Sequence, residues 1–201
     1  MLRYSLIILI FLCFKNGYGQ SEEIYRLTFS DKSNFKITTA LGNKQPSQIY
    51  IINTTEPFYS KRFWLDGINL KSAKVLDEIK DDEHHLYHNV YLFKDEKLNS
   101  KFSDEEKKYL SAKAKLTKPK KINLKGTNYS TIKLSSEIKT FYFKTSEPIF
   151  SNDRQYAFIN FTAFSSKSKN EENYFSDTCV IYKRTNGKGW KKSGIVDRLI
   201  L

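Results

Sequence analysis

The chain's three histidines, His84, His85 and His88, stand together in Asp81-Asp82-Glu83-His84-His85-Leu86-Tyr87-His88. Residues four apart share a helix face, so His84 and His88 could grip a transition metal there, with Asp81 as a carboxylate ligand nearby. The zinc-protease pattern requires a glutamate directly after the first histidine as general base, and His85 occupies that place. With no further histidine in the chain, the remaining ligands of any metal would have to be carboxylates. A polar helix end leading into the strand-like Asn89-Val90-Tyr91-Leu92-Phe93 accounts for the same residues, so no metal and no other cofactor is favoured.

Cys179 stands in Thr178-Cys179-Val180-Ile181-Tyr182, a β-rich apolar run. A thiol there packs as a small hydrophobe and its pKa rises, the opposite of what a nucleophile needs. Gly187-Lys188-Gly189-Trp190-Lys191-Lys192-Ser193 approaches a phosphate-binding loop, but that motif needs glycine where Lys192 stands and a helix afterwards. A hairpin turn fits better. Neither a Gly-x-Ser-x-Gly elbow nor a dinucleotide fingerprint occurs, so no catalytic or cofactor-binding residue is assigned. Asn53, Asn128 and Asn160 begin Asn-x-Ser/Thr sequons, which matter only where a host glycosylates asparagine.

The clearest binding chemistry is cationic. Lys107, Lys108, Lys113, Lys115, Lys118, Lys120, Lys121 and Lys125 follow one another with no acid between them. Such a run can hold an anionic polymer or headgroup by charge, or it can be the wet face of a helix and its exit loop. The chain's net charge of +12 does not by itself imply nucleic acid. Arginine, the residue of bidentate phosphate and guanine contacts, stands at only six of the 201 positions.

Hydrophobic periodicity sets the elements that carry these residues. Short β-branched and aromatic runs at 24–29, 35–41 and 49–52, separated by turn chemistry, read as a three-stranded meander. Residues 72–83 have helical composition. Ser103-Asp104-Glu105-Glu106 is a capping box opening a helix over 104–116, which Pro119 ends. Strands are expected at 121–124, 130–134, 139–144 and 156–164, then a closing hairpin of 178–185 and 189–201 about Asn186-Gly187. The whole reads as α+β: a mostly antiparallel twisted sheet with one or two helices packed on one face.

The N-terminus has the parts of an export signal: Arg3, an unbroken apolar run from Leu6 to Phe14, and small residues at Gly17 and Gly19. The run is too short to span a bilayer, which takes roughly twenty apolar residues. Cleavage is expected after Gly19, giving residues 20–201 as one exported domain, periplasmic or secreted. Lipid attachment at Cys13 is disfavoured because Ile10, Phe11 and Leu12 precede it. A cut after Gly19 leaves Cys179 alone, with no internal disulfide to form.

Phe102-Ser103-Asp104-Glu105-Glu106-Lys107-Lys108-Tyr109-Leu110 resembles the acid-capped helix start of a group of exported proteins from Bacteroidetes-type bacteria. Ser146-Glu147-Pro148-Ile149-Phe150-Ser151-Asn152-Asp153, followed by Tyr156-Ala157-Phe158-Ile159, resembles their Ser-x-Pro-Ile-Phe-Ser-x-Asp turn and strand. Proteins of that group often carry Gly and Cys between their last long strands, where this chain has the polar, cysteine-free residues 165–175. The resemblance implies a compartment and a fold sketch, without an activity. The function expected is non-enzymatic binding of an anionic envelope polymer or another protein. The alternative is a small hydrolase or metal-dependent enzyme built on His84, His88 and unassigned carboxylates.

Overall fold

A computed structural model of the protein describes residues 19–35, 47–61, 63–65, 72–83, 90–134, 141–168, 171–185 and 189–199. Its helices are α1 (residues 19–30), α2 (Ala73–Glu83), α3 (Glu96–Asn99) and α4 (Asp104–Lys115). Its strands are β1 (Ile49–Ile52), β2 (Phe63–Trp64), β3 (Val90–Tyr91), β4 (Tyr129–Ile132), β5 (Phe141–Thr145), β6 (Ile149–Phe150), β7 (Tyr156–Ser168), β8 (Glu171–Thr185) and β9 (Gly189–Leu199). Seven strands form one sheet in the order β4-β1-β5-β7-β8-β9, with β6 pairing to β7. The fold is α+β, and no described helix is long and apolar enough to cross a membrane.

The middle of the sheet is β7, whose Tyr156-Ala157-Phe158-Ile159 run is apolar at every position. Successive side chains of a strand point to opposite faces, so such a run marks a strand covered on both sides. Ala157, Ile159, Phe161 and Ala163 pack on one face with Val180, Tyr182, Ile24, Tyr25 and Phe29. Tyr156, Phe158, Cys179 and Ile181 pack on the other with Leu110, Ala114, Phe102 and Phe58. Thus α1 covers one face and α4 the other, where helices on a single face were expected. The hairpins β7–β8 and β8–β9 are antiparallel, with Asn160 opposite Cys179 and Cys179 opposite Val196.

The sheet is mixed rather than antiparallel throughout. β1 runs parallel to both β4 and β5, with Ile51 opposite Thr131 and Phe143. Parallel neighbours need a crossover, and α2, α3 and α4 lie in the segment between β1 and β4. The expected N-terminal meander is therefore overturned. Residues 24–29 belong to α1: Ile24, Tyr25, Thr28 and Phe29 are all buried, the spacing of one helix face. The Thr28 hydroxyl donates to the Ile24 carbonyl at 2.8 Å, as a helical threonine does. Of the strand expected at 35–41, residues 36–41 lie outside the described residues, as does the Asn186-Gly187 turn. Residues 121–124 make only an isolated bridge, Lys121 to Thr54. After β3 the chain turns 3₁₀ at Leu92–Lys94 instead of continuing as a strand.

α4 begins as its sequence requires, with the Ser103 hydroxyl accepting from the Glu106 backbone N–H at 3.2 Å. The reciprocal half of the box is used differently. Glu106 Oε1 accepts from the Asn152 backbone N–H at 2.6 Å, which joins the start of α4 to the turn between β6 and β7.

Candidate anion-binding cleft

That junction lies beside a cleft of about 510 Å³. One wall is the second half of α4 and its exit: Tyr109, Lys113, Leu116, Thr117, Lys118, Pro119 and Lys120. The other is Glu147, Pro148, Ile149, Phe150 and Arg154. Four cations face one carboxylate. Lys120 Nζ and Glu147 Oε1 pair at 3.1 Å, both partly exposed, leaving the cleft a net positive charge. Lys113 Nζ lies 5.4 Å from the Tyr109 ring centroid, and the Arg154 guanidinium 5.5 Å from that of Phe150. Leu116, 71% exposed, and the exposed Pro119 supply aliphatic surface beside the charges.

Helical geometry divides the lysine run. The face of α4 carrying Lys107, Leu110, Ser111 and Ala114 is buried, so the lysines on it cannot reach the cleft. Lys107 is 9% exposed; its ammonium bonds Asp104 at 3.2 Å and lies 5.9 Å from the Phe93 ring centroid. It packs α4 and does not offer charge to a ligand, contrary to the expectation. Lys108 and Lys115 are exposed on α4 outside the cleft, and Lys121 is exposed beyond it. Lys125 borders a smaller hollow of about 320 Å³, where Glu22 and Glu23 oppose it and Arg26. Of the eight lysines, Lys113, Lys118 and Lys120 converge.

Arg154, which sequence reasoning passed over, completes the set. It is the one described non-glycine residue with a left-handed backbone, φ 58°. Hydrogen bonds hold the turn around it. Its N–H donates to the Ser151 carbonyl at 2.9 Å, and the Ser151 hydroxyl donates to Asp153 Oδ1 at 2.6 Å. The Gln155 N–H donates to the same oxygen at 2.9 Å, and the Tyr156 N–H donates to the Ser151 hydroxyl oxygen at 2.8 Å. Arg154 Nη1 donates to Gln20 Oε1 on α1 at 3.2 Å. The legible signal was Ser151-Asn152-Asp153, strong turn chemistry. The turn is joined to the start of α4 by the Glu106–Asn152 bond, between residues 46 apart in sequence.

The other sequence candidates fall elsewhere. Asp81 is exposed on α2, while His84 and His88 lie outside the described residues. Among the described residues no three His, Cys, Asp or Glu side chains are placed to hold a metal. Cys179 is fully buried, and burial, then the Asp197 carboxylate, push its thiol pKa well up. Burial and then Glu147 likewise push up the Tyr25 hydroxyl, which donates to the Ser146 carbonyl at 3.3 Å. Lys192 is a fastener: its ammonium donates to Asp31 Oδ2 at 2.6 Å and to Asn34 Oδ1 at 3.0 Å, tying β9 to the end of α1. Asn160 is 0% exposed and donates to the Phe58 carbonyl at 3.0 Å, so its sequon is closed in the folded protein. The chain matches no protein-family model, no curated protein and no solved structure.

Proposed function

We propose that the protein is a non-enzymatic exported binding protein, periplasmic or secreted, whose cleft holds an anionic polymer. The observation that carries this reading is the convergence of Lys113, Lys118, Lys120 and Arg154 on one concave, partly apolar surface. A concave site of several hundred Å³ with a few convergent polar groups is the usual form of a ligand site. Its low-dielectric walls focus the field of the cations more than a convex lysine face does. Export rests on the N-terminal pattern alone: Arg3, the apolar run from Leu6 to Phe14 and the small residues Gly17 and Gly19.

The test is retention on heparin, lipopolysaccharide and DNA columns at rising ionic strength. Wild type is compared with Lys113→Glu/Lys118→Glu and with Lys108→Glu/Lys115→Glu, two equal changes of charge. The first variant elutes earlier than wild type and the second elutes close to it. Equal elution of both variants refutes the cleft as the binding site. Intact mass of the protein recovered from outside the cytoplasm checks the cut at Gly19.

A further inference from the structure

Resting on the anion-binding reading of the cleft, we infer that its ligand is an acidic polysaccharide, and that Arg154 orients the sugar's anionic group while Glu147 reads its hydroxyls. Three features separate this ligand from other polyanions. The first is Glu147. A carboxylate inside a cationic cleft repels a chain of phosphates, yet it is the acceptor that sugar hydroxyls need. Lys120 occupies Oε1, and Glu147 has a second oxygen, Oε2, that this ion pair does not use.

The second feature is the aromatic surface. Proteins that hold single-stranded nucleic acid stack bases on open aromatic faces. Here Lys113 lies over Tyr109 and Arg154 over Phe150, and Phe150 also packs against Trp190 with centroids 5.6 Å apart. The exposed aliphatic surface of the cleft is Leu116 and Pro119, which suits the C–H faces of sugar rings.

Arg154 is the third. The lysines carry point charges on flexible stems, whereas a guanidinium presents a planar fork that fits a carboxylate or sulfate bidentately. Its backbone is held in a left-handed conformation that costs most residues about 1–2 kcal/mol, and such strain gathers where surrounding structure fixes a residue for use. The turn's hydrogen bonds supply that fixing. Arg154 is therefore the positioned cation of the set.

Calorimetric titration of the full protein distinguishes the outcomes, with trigalacturonate, a heparin-derived tetrasaccharide, a thymidine oligonucleotide of equal charge to the trigalacturonate, and inorganic phosphate as probes. Wild type binds the acidic sugars at least about 10-fold more tightly than the oligonucleotide. Arg154→Lys, which keeps the charge, loses about 10-fold or more on the sugars because the fork is gone. Arg154→Gly suits the left-handed backbone, keeps the fold and loses at least as much. Glu147→Gln weakens the sugars and strengthens the oligonucleotide. The uronate and the sulfated sugar compared with each other tell which anion the fork prefers. Equal binding of sugar and oligonucleotide, or an Arg154→Lys protein that binds sugar as wild type does, overturns the inference and leaves the anion-binding reading standing. A wild type that binds none of the probes overturns both.

Discussion

Ionic strength counts the charges that a polyanion touches, and the structure supplies the count. Lys113, Lys118 and Arg154 face the cleft, while the charge of Lys120 is largely offset by Glu147 at 3.1 Å. With about 0.7 counterion released per contact, as for single-stranded polyanions, three contacts give a slope of log affinity against log salt of about −2. Affinity then falls about 20-fold between about 50 and about 200 mM salt. Had all eight lysines of the 107–125 run been in contact, the slope would be about −6 and the loss more than about 1,000-fold. The assay is fluorescence anisotropy of a labelled heparin hexasaccharide across that salt range. Lys118→Glu, which removes one of the three contacts, should flatten the slope by about 0.7 unit. Lys115→Glu, outside the cleft on the exposed side of α4, should act only through a field screened over about 10 Å at 0.1 M salt. A wild-type slope of −5 or steeper, or equal losses in the two variants, refutes a bounded site and restores the whole run as a diffuse charged face.

Lys192→Met should cost about 1 kcal/mol by denaturant titration, a figure discounted for the partial exposure of the pair. The pH dependence follows from Asp31. Its slight burial opposes ionisation, but hydrogen bonds from Lys192 and Ser33 outweigh this and lower its pKa below the ordinary 3.8. A depressed folded pKa gives stability that is full above the unfolded value and lost as pH falls through the folded one. The gap between wild type and Asp31→Asn should hold from pH 7 to about 5 and vanish in stronger acid; a gap unchanged at pH 2 contradicts the pair. Cys179 should react with a thiol reagent only through opening of the core, at least about 1,000-fold slower than in the denatured chain. Fast native labelling would return it to the list of nucleophiles. Asn160→Ala should lower stability by about 2–3 kcal/mol, because it strips the buried Phe58 carbonyl of its donor and opens a void.

What the sequence disclosed was governed by local pattern. Residues 156–159 are apolar on both alternating sets, and a strand covered on both faces uses such a run, so β7 was legible without its partners. Ser103 and the acids after it marked the start of α4 because a cap is a contact between residues three apart. The window Ile24-Tyr25-Arg26-Leu27-Thr28-Phe29 was too short to separate the two periods. Only with Glu22, Glu23 and Ser30 included does one polar face against one buried face emerge. The direction of β1 was illegible for another reason: strand alternation fixes which side chains face the core and says nothing about whether a neighbour runs parallel. The lysines could be grouped because they are close in sequence. Their sorting into buried, exposed and cleft-facing sets needed the orientation of α4 against the sheet, and Arg154 and Glu147 needed the fold.

The segment 146–153 was read as a structural motif, and its structural role is what equips it for binding. At one end Ser146 fastens to β7, its N–H donating to the Asn160 carbonyl at 2.8 Å and its hydroxyl accepting from the Asn160 N–H at 3.0 Å. At the other end Ser151 bonds Asp153 and Tyr156, and Asn152 bonds the start of α4. Ile149 between them is buried under α4. Fastened at both ends and at its centre, the segment carries Glu147, Pro148 and Phe150, and the Arg154 that follows it, along the cleft wall as a rigid strip. A ligand meeting such a strip does not have to order it, and ordering a mobile wall would cost about 0.5–1.5 kcal/mol for each side chain immobilised. The lysines opposite retain their long stems and adjust to whatever charge arrives. Selectivity therefore belongs to the fastened wall and long-range attraction to the flexible one. This is why a charge-preserving change at Arg154 is expected to alter which anion binds, while a change at Lys118 alters how strongly every anion binds.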